Sequence, residues 1–266
     1  MASRPPVLIL TGFGLNCEAE SRYAWERAGA APELVHLNDL LAAPGRLMDF
    51  QALMFIGGFS FGDHMGSGHV LALRLRHRIR DALQTFLDRE RLVMGVCNGF
   101  QTMVKLGLLP GFDGDYFTQK MAMAANDCGV FQNFWVNIRF EKDSPCVFTR
   151  GLTSMPLPIR HGEGKVFALD RAILERVERE HCVACRYADP ATGDAARRFP
   201  HNPNGSLNAI AGLCDPSGRV FGLMPHPEAF LFPENRPNWD ARRLSGALPG
   251  EGDGLQIFRN AVEFMR

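Results

Sequence analysis

The segment Leu92-Val93-Met94-Gly95-Val96-Cys97-Asn98-Gly99-Phe100-Gln101 runs from an apolar strand into a cysteine between two glycines, and a helix is expected from Gly99 to Leu108. This spacing is typical of a nucleophile elbow, a sharp strand-to-helix turn that holds the nucleophile in a sparsely populated backbone conformation. The helix amino terminus favours a thiolate at Cys97. The segment therefore predicts an α/β fold with a cysteine nucleophile. The alternative is a buried structural cysteine, which is the commoner use of a free thiol.

A candidate base for this nucleophile lies near the other end of the chain. The apolar segment Arg219–Met224 is a predicted strand, and Pro225-His226-Pro227-Glu228 follows it directly. Prolines on both sides of His226 favour an extended backbone, in which residues two apart project to the same side. Glu228 can therefore accept a hydrogen bond from one ring nitrogen, so that the other nitrogen is free to take the thiol proton. The alternative for His226 is a surface loop histidine.

A third predicted strand, Ala52–Ile56, ends at the paired glycines Gly57 and Gly58. Exposed backbone amides in such a turn can stabilise a developing oxyanion. Ligands of parallel sheets bind outside the carboxyl ends of the strands. We therefore expect the nucleophile, the base and the oxyanion donors to meet in one crevice.

Several segments of the chain resemble known sequences. Gly95-Val96-Cys97-Asn98-Gly99-Phe100-Gln101 and Met224-Pro225-His226-Pro227-Glu228 are similar to the motifs of class I (triad) glutamine amidotransferases. Three further segments resemble one member of this class, the glutaminase subunits of phosphoribosylformylglycinamidine synthase, an amidating enzyme of purine biosynthesis. These segments are Gly57-Gly58-Phe59-Ser60-Phe61-Gly62-Asp63, Leu157-Pro158-Ile159-Arg160-His161-Gly162-Glu163-Gly164 and Asn202-Pro203-Asn204-Gly205-Ser206. The resemblance covers nearly the whole chain, and only the stretch from about 232 to 254 is longer than this family leads us to expect.

The resemblance implies a role for individual residues. Cys97, His226 and Glu228 are the expected catalytic triad that hydrolyses L-glutamine to glutamate and ammonia through a glutamyl thioester, and the amides of Gly58 and Asn98 are the expected oxyanion hole. The expected glutamine-binding residues are Gln101, Asn126, Cys128 and Phe131. Phe134 stands where the family leads us to expect an arginine. His161 and Glu163 form an alternative base pair, or serve local structure or an interface.

The resemblance also implies partners. The ammonia passes to a large synthetase subunit that uses ATP to convert formylglycinamide ribonucleotide to formylglycinamidine ribonucleotide, with a small bridging subunit in the complex. No phosphate-binding Gly-x-x-x-x-Gly-Lys-Ser/Thr loop occurs in this sequence, and no His/Asp/Glu spacing in it is suited to hold a metal. We therefore expect no cofactor or metal in this chain, with ATP and Mg²⁺ on the partner.

Two other classes of function remain open at this point. A γ-glutamyl hydrolase or a cysteine peptidase can use the same triad, and a regulatory module can keep the fold without the chemistry. A substrate panel separates these alternatives from a glutaminase that supplies a synthetase.

The order of predicted elements indicates a mostly parallel central sheet with helices on both faces. The resemblance implies a flavodoxin-like fold with added antiparallel strands. We expect one domain over residues 1–266, with a helix from about His69 to Arg89, a long structureless loop at about 232–254 near the site or partner interface, and an amphipathic helix at Leu255–Met265.

Composition limits the class of partner. The chain has 29 basic and 29 acidic residues, a balance that argues against nucleic acid or an anionic membrane as the partner. Seven cysteines without a disulfide framework favour a reducing compartment, so we expect a cytoplasmic protein. The apolar run Val7–Leu10 is too short for a secretory signal or a membrane span.

Overall fold

A computed structural model describes residues 3–266, and nine of the strands in this range form one mixed sheet. In chain order, the strands are β1 (Pro6–Thr11), β2 (Ala31–His36), β3 (Ala52–Phe55), β4 (Leu92–Val96), β5 (Met121–Ala125), β6 (Gln132–Phe140), β7 (Ser154–His161), β8 (Glu163–Ala168), β9 (Val183–Ala188), β10 (Ile210–Cys214) and β11 (Val220–Leu223). The α-helices are α1 (Glu18–Ala28), α2 (Leu37–Ala42), α3 (His69–Asp88), α4 (Asn98–Leu106), α5 (Arg171–Arg179), α6 (Trp239–Leu244) and α7 (Leu255–Met265).

The strand order of the large sheet is β2-β1-β3-β4-β11-β10-β9-β6-β7. The first five strands pair in parallel, in the spatial order of flavodoxin-like folds, and the other four extend the sheet by antiparallel pairing. Strands β5 and β8 form a separate antiparallel ribbon. The predicted fold class, including its added antiparallel strands, is confirmed.

Helices cover both faces of the parallel half of the sheet. Neighbouring residues of a strand point to opposite faces, and two neighbours on β3 contact different helices. The indole Nε1 of Trp25 on α1 lies 3.1 Å from the sulfur of Met54, whereas a side chain at Gly99 on α4 would lie 2.8 Å from the Cβ atom of Phe55. The C-terminal helix α7 joins the α1 face, where Phe258 packs edge-on against Trp25 with ring centroids 5.2 Å apart.

The boundaries of the predicted helices need two small corrections. The helix after Cys97 spans Asn98–Leu106, because Gly107 adopts a left-handed conformation (φ 84°) and ends it. Helix α3 ends at Asp88, one residue before the predicted end. Its predicted apolar stripe is buried, as expected, at Leu71, Leu75, Ile79, Leu83 and Phe86.

The stretch 232–254 is not the structureless loop that its composition predicts. It contains a 3-10 turn at Pro233–Asn235 and the helix α6, none of whose residues is buried. The end of the stretch packs closely behind the predicted base, because side chains at Gly252 and Gly254 would collide with the carbonyl groups of Phe230 and Pro227. That end therefore lies near the candidate site, as hypothesised, while α6 projects into solvent. Across residues 3–266, no helix combines the length and the apolar character that crossing a lipid bilayer requires.

Candidate active site

Four parallel strands end at the same edge of the sheet, and the chain that follows them encloses a cavity of about 420 Å³. The segments after β1, β3, β4 and β11 each contribute to its wall. The lining residues are Asn16, Cys17, Glu20, Gly58, Phe59, Cys97, Phe131, Asn133, Arg160 and His226. The predicted convergence of the nucleophile, the base and the glycine turn in one crevice is therefore observed.

Cys97 occupies the strained turn that the sequence pattern predicts. It lies between β4 and α4 with φ 50° and ψ −108°, a backbone conformation rare for a residue with a side chain. Such a conformation costs roughly 1 to 3 kcal/mol and persists only where the surrounding structure enforces it. The two flanking glycines permit the close packing, because a side chain at Gly95 would collide with Met103, and one at Gly99 would collide with the carbonyl group of Phe55.

The thiol of Cys97 faces the chain segment that ends β7. The backbone amide of Cys97 donates to the carbonyl oxygen of Leu223 at 2.9 Å, which fixes the elbow against β11. Its Sγ atom lies 3.5 Å from the carbonyl oxygen of Arg160. Only 5% of the residue is exposed, so the thiol meets solvent through the cavity alone.

His226 and Glu228 form the pair that the proline spacing predicts. Nδ1 of His226 lies 2.6 Å from Oε1 of Glu228, and both residues are 2% exposed. The backbone amide of His226 donates to the carbonyl oxygen of Pro158 at 2.9 Å. Burial acts to lower the pKa of the His226 ring, but the Glu228 carboxylate and the thiols of Cys97 and Cys17 outweigh it and hold this pKa well above its usual value. Nε2 has no hydrogen-bond partner in the described structure, so its lone pair or proton is free for chemistry.

The two predicted oxyanion donors lie on either side of Cys97. Gly58 has φ 139°, a conformation suited to glycine, and a side chain there would meet the backbone of Gly14, Leu15 and Asn16 at 2.7 to 2.8 Å. Asn98 is the first residue of α4, where backbone amides lack helical partners. Neither amide donates a hydrogen bond within residues 3–266.

A partly buried polar cluster holds the loop after Gly58 against α4. The side-chain amide of Asn98 donates to Asp63 at 3.1 Å, and Ser67 donates to the other oxygen of that carboxylate at 2.8 Å. Lys105 donates to the carbonyl oxygen of Ser67 at 2.8 Å, and its Nζ lies 4.0 Å from a Glu163 oxygen. Burial raises the pKa of Asp63 and lowers that of Lys105. The cluster therefore connects the loop after Gly58 and the start of α4 at Asn98, which carry the two predicted oxyanion donors, to Glu163 at the start of β8.

The structure does not support His161 and Glu163 as the alternative base pair. Nδ1 of His161 lies 3.0 Å from Oδ1 of Asn126, whereas Glu163 accepts from the backbone amide of Ser67. The Asn126 amide nitrogen donates to the carbonyl oxygens of Val130 and His161, so its Oδ1 must accept, and the proton of His161 must sit on Nδ1. Burial lowers the pKa of His161 to about 3, so the ring stays neutral and serves local structure.

The predicted glutamine-binding residues do not all reach the cavity. Phe131 lines it and is 49% exposed. Gln101 is buried and bound within the protein, where it donates to the carbonyl oxygen of Glu163 and accepts from Asn98 at 3.3 Å. Asn126 is engaged with His161, and the exposed thiol of Cys128 lies 3.1 Å from the Gln132 amide nitrogen. A direct contact of these three side chains with substrate stays a prediction.

The departure at Phe134 is explained by strand register. Asn133 lies opposite Arg160 in the β6–β7 ladder, and both line the cavity. Phe134, the next residue on β6, therefore points to the other face, where its ring packs edge-on against Phe199. The cation at the cavity is Arg160, which the neighbouring strand supplies.

Sequence reasoning missed six cavity residues: Asn16, Cys17, Glu20, Phe59, Asn133 and Arg160. For Asn16, Cys17 and Phe59 a signal existed, because they follow β1 or β3 and residues beyond the carboxyl ends of parallel strands line ligand sites. No comparable signal exists for Glu20, Asn133 and Arg160, because their place depends on helix position and strand register.

Comparisons with known proteins agree with this geometry. Residues 4–265 match the CobB/CobQ-like glutamine amidotransferase domain family. The phosphoribosylformylglycinamidine synthase subunit PurQ of Dehalococcoides mccartyi is 42% identical over 264 residues, covering 99% of both chains. The subunit PurQ of Methanococcus maripaludis is 39% identical over 266 residues, covering 98% of this chain and 97% of that protein.

A solved structure described as PurLQS from Thermotoga maritima contains a similar chain. Its TM-score is 0.69 at 29% sequence identity, and the match covers 99% of this chain and 100% of that one. The resemblance that the motifs indicate is therefore confirmed for the family.

Proposed function

This chain belongs to the family of CobB/CobQ-like glutamine amidotransferase domains, and from that membership we propose that it is the glutaminase subunit of phosphoribosylformylglycinamidine synthase in purine biosynthesis. The observation that carries this proposal is the meeting of Cys97 and His226 at one cavity, with Glu228 bound to the histidine, in a chain similar over almost its full length to named PurQ subunits.

The chemistry that we assign to the triad begins with the thiol of Cys97. His226 takes the thiol proton at Nε2, and the sulfur attacks the carboxamide carbon of glutamine. The tetrahedral oxyanion is bound by the amides of Gly58 and Asn98. His226 then gives its proton to the leaving nitrogen, ammonia departs, and a glutamyl thioester remains. A water molecule, deprotonated by the same ring, hydrolyses the thioester to glutamate and the free thiol.

Charges at the cavity suit a free amino acid. The Arg160 guanidinium and the Glu20 carboxylate both line it. A cation and an anion at one site complement the α-carboxylate and the α-ammonium group of glutamine, whereas an internal peptide residue carries neither charge. This pairing favours glutamine over a peptide, and so a glutaminase over a cysteine peptidase.

Ammonia from this site requires an acceptor on another polypeptide. We assign that acceptor to the synthetase subunit of the same enzyme, which converts formylglycinamide ribonucleotide to formylglycinamidine ribonucleotide with ATP and Mg²⁺. A small bridging subunit completes the proposed complex. We place the reaction in the cytoplasm, in keeping with seven free cysteines.

The test reconstitutes the complex with Cys97→Ala. We expect glutamine-dependent synthesis to fall by roughly three to six orders of magnitude, as triad knockouts do, while synthesis from added ammonium salt persists. A glutamine-mimicking electrophile should label wild-type protein at Cys97 in peptide mass spectrometry. Labelling elsewhere, or peptide cleavage without glutamine hydrolysis, would show that the proposed function is wrong. Loss of both glutamine- and ammonia-dependent synthesis would assign Cys97 to complex assembly instead.

A further inference from the structure

The buried thiol of Cys17 has no part in the chemistry described above, yet it lies beside the candidate base. Cys17 follows β1 and is 5% exposed. A side chain built at Gly57 would meet Sγ of Cys17 at 3.0 Å, Cε1 of His226 at 2.8 Å and Nδ1 of His226 at 3.5 Å. The sulfur therefore lies beside the His226 ring, whose Nδ1 atom binds Glu228.

Three different metal-ligand atoms meet at this point. The sulfur of Cys17, a ring nitrogen of His226 and a carboxylate oxygen of Glu228 all lie within 4.8 Å of one another, the one such set that residues 3–266 bring together. A second observation also points to a ligand: Oε2 of Glu228 is buried without any hydrogen-bond partner. A buried carboxylate oxygen without a partner destabilises the folded protein, and a cation satisfies it.

We propose that Cys17, His226 and Glu228 bind a thiophilic divalent metal ion such as Zn²⁺, and that the bound ion switches off the glutaminase. Thiolate, imidazole and carboxylate are the ligands that zinc takes in proteins, and tetrahedral ligand atoms with bonds of about 2.0 to 2.3 Å lie about 3.3 to 3.8 Å apart. The three ligand atoms lie within 4.8 Å of one another, and metal binding brings them to that spacing by side-chain rotation. A thiolate and a carboxylate together carry two negative charges, so that the ion makes the buried site neutral.

Metal binding at this position stops catalysis through the histidine tautomer. The ion takes the lone pair of Nδ1, and the single proton of the neutral ring then sits on Nε2. Nε2 can no longer accept the thiol proton of Cys97. The ion also takes Glu228, the residue that orients the ring. Zinc is in this way a reversible inhibitor that leaves the nucleophile chemically intact.

An ion can reach the site, and binding must release a proton. Cys17 and His226 both line the open cavity, and Glu20 adds a negative charge to its wall. The bound ion replaces the proton of the Cys17 thiol.

The binding test needs no glutaminase activity, so its failure is distinct from failure of the proposed function. Cys97→Ser protein is titrated with Co²⁺, whose thiolate charge-transfer absorption reports a cobalt–sulfur bond. We expect one ion per chain with this absorption, lost when Cys17→Ser is added and kept when the exposed Cys128→Ser is added as the matched control. The proposal would be overturned if the charge-transfer absorption persisted in the double variant Cys17→Ser, Cys97→Ser. It would also be overturned if Cys97→Ser alone showed no such absorption.

The inhibition test uses the reconstituted complex with glutamine or with ammonium salt. We expect Zn²⁺ to abolish only glutamine-dependent synthesis, with recovery on adding a chelator. In Cys17→Ser or Cys17→Ala, the inhibition constant should rise more than about 100-fold, since even an outer-sphere partner contributes 10- to 100-fold to metal affinity. The variant used is the one whose unfolding transition matches that of the wild type. If zinc inhibits this variant and the wild type equally, Cys17 is not a ligand.

Discussion

The Nδ1 atom of His226 lies 2.6 Å from Oε1 of Glu228, two residues further along the chain. His226 has an extended backbone (φ −105°, ψ 90°), as its flanking prolines predict. Glu228 lies in the 3-10 turn Pro227–Ala229 that follows, so this turn, and not a continuous extended chain, carries its carboxylate. The hydrogen bond puts a proton on Nδ1 and leaves Nε2 to face the cavity. Four consecutive residues thus contain both the base and the group that selects its tautomer.

Replacing Glu228 by glutamine should impair proton transfer without disturbing substrate binding. The Glu228→Gln amide occupies the same volume but removes the charge that raises the pKa of His226. We expect kcat for glutamine hydrolysis to fall by about 10² to 10⁴ with little change in KM, as for loss of a triad carboxylate. Steady-state kinetics measure this. The exposed Glu234→Gln is the control, and an equal loss in both variants would contradict the role of Glu228.

Arg160 should contribute mainly to glutamine affinity. It lines the cavity near Cys97, where it can bind the α-carboxylate of the substrate. Charge-assisted hydrogen bonds contribute about 1.5 to 3 kcal/mol, so Arg160→Gln should raise KM by roughly 10- to 100-fold with a smaller effect on kcat. Phe134→Leu, on the opposite face of the sheet, should leave KM within about twofold. A larger KM effect at Phe134 would contradict the observed register.

His161 should make the protein sensitive to acid. Its pKa is lowered to about 3 by burial, against 6.5 for the ordinary group, so the unfolded chain binds the extra proton first as pH falls. Stability is therefore full above pH 6.5 and is lost below it, by about 2 kcal/mol between pH 7 and pH 5. His161→Asn keeps a donor to Asn126 and cannot titrate. Urea unfolding at both pH values should show a smaller acid loss in the variant, whereas an unchanged loss would rule out His161 as the cause.

A methyl group at Gly99 should disrupt the elbow. The added carbon would overlap the carbonyl group of Phe55, and the backbone there is held between β3, β4 and α4. We expect Gly99→Ala to lower the free energy of unfolding by about 3 kcal/mol. Gly45→Ala is the matched control, because nothing lies within 4 Å of that position. Denaturant unfolding of both proteins measures the difference, and a Gly99→Ala protein as stable as the control would be inconsistent with this packing.

Local features of the sequence determined the parts of the site that are close together along the chain. The elbow at Cys97 follows from its two glycines, and the pairing of His226 with Glu228 follows from the proline spacing. The alternation of apolar strands and amphipathic helices was enough to predict the parallel sheet, because each element buries a face set by its own period. The carboxyl-end rule then predicted that the strand ends would meet.

Only the tertiary structure decided which distant side chains share that meeting point. Arg160 rather than Phe134 lines the cavity because a one-residue step along a strand reverses the direction of a side chain. His161 pairs with Asn126 rather than acting as a base, since the backbone amide of Asn126 donates to the carbonyl oxygen of Gly162 at 2.8 Å and holds the two segments together. Cys17 lies beside His226 although the two come from opposite ends of the chain. Such contacts depend on the register between strands remote in sequence, and no local periodicity encodes that register.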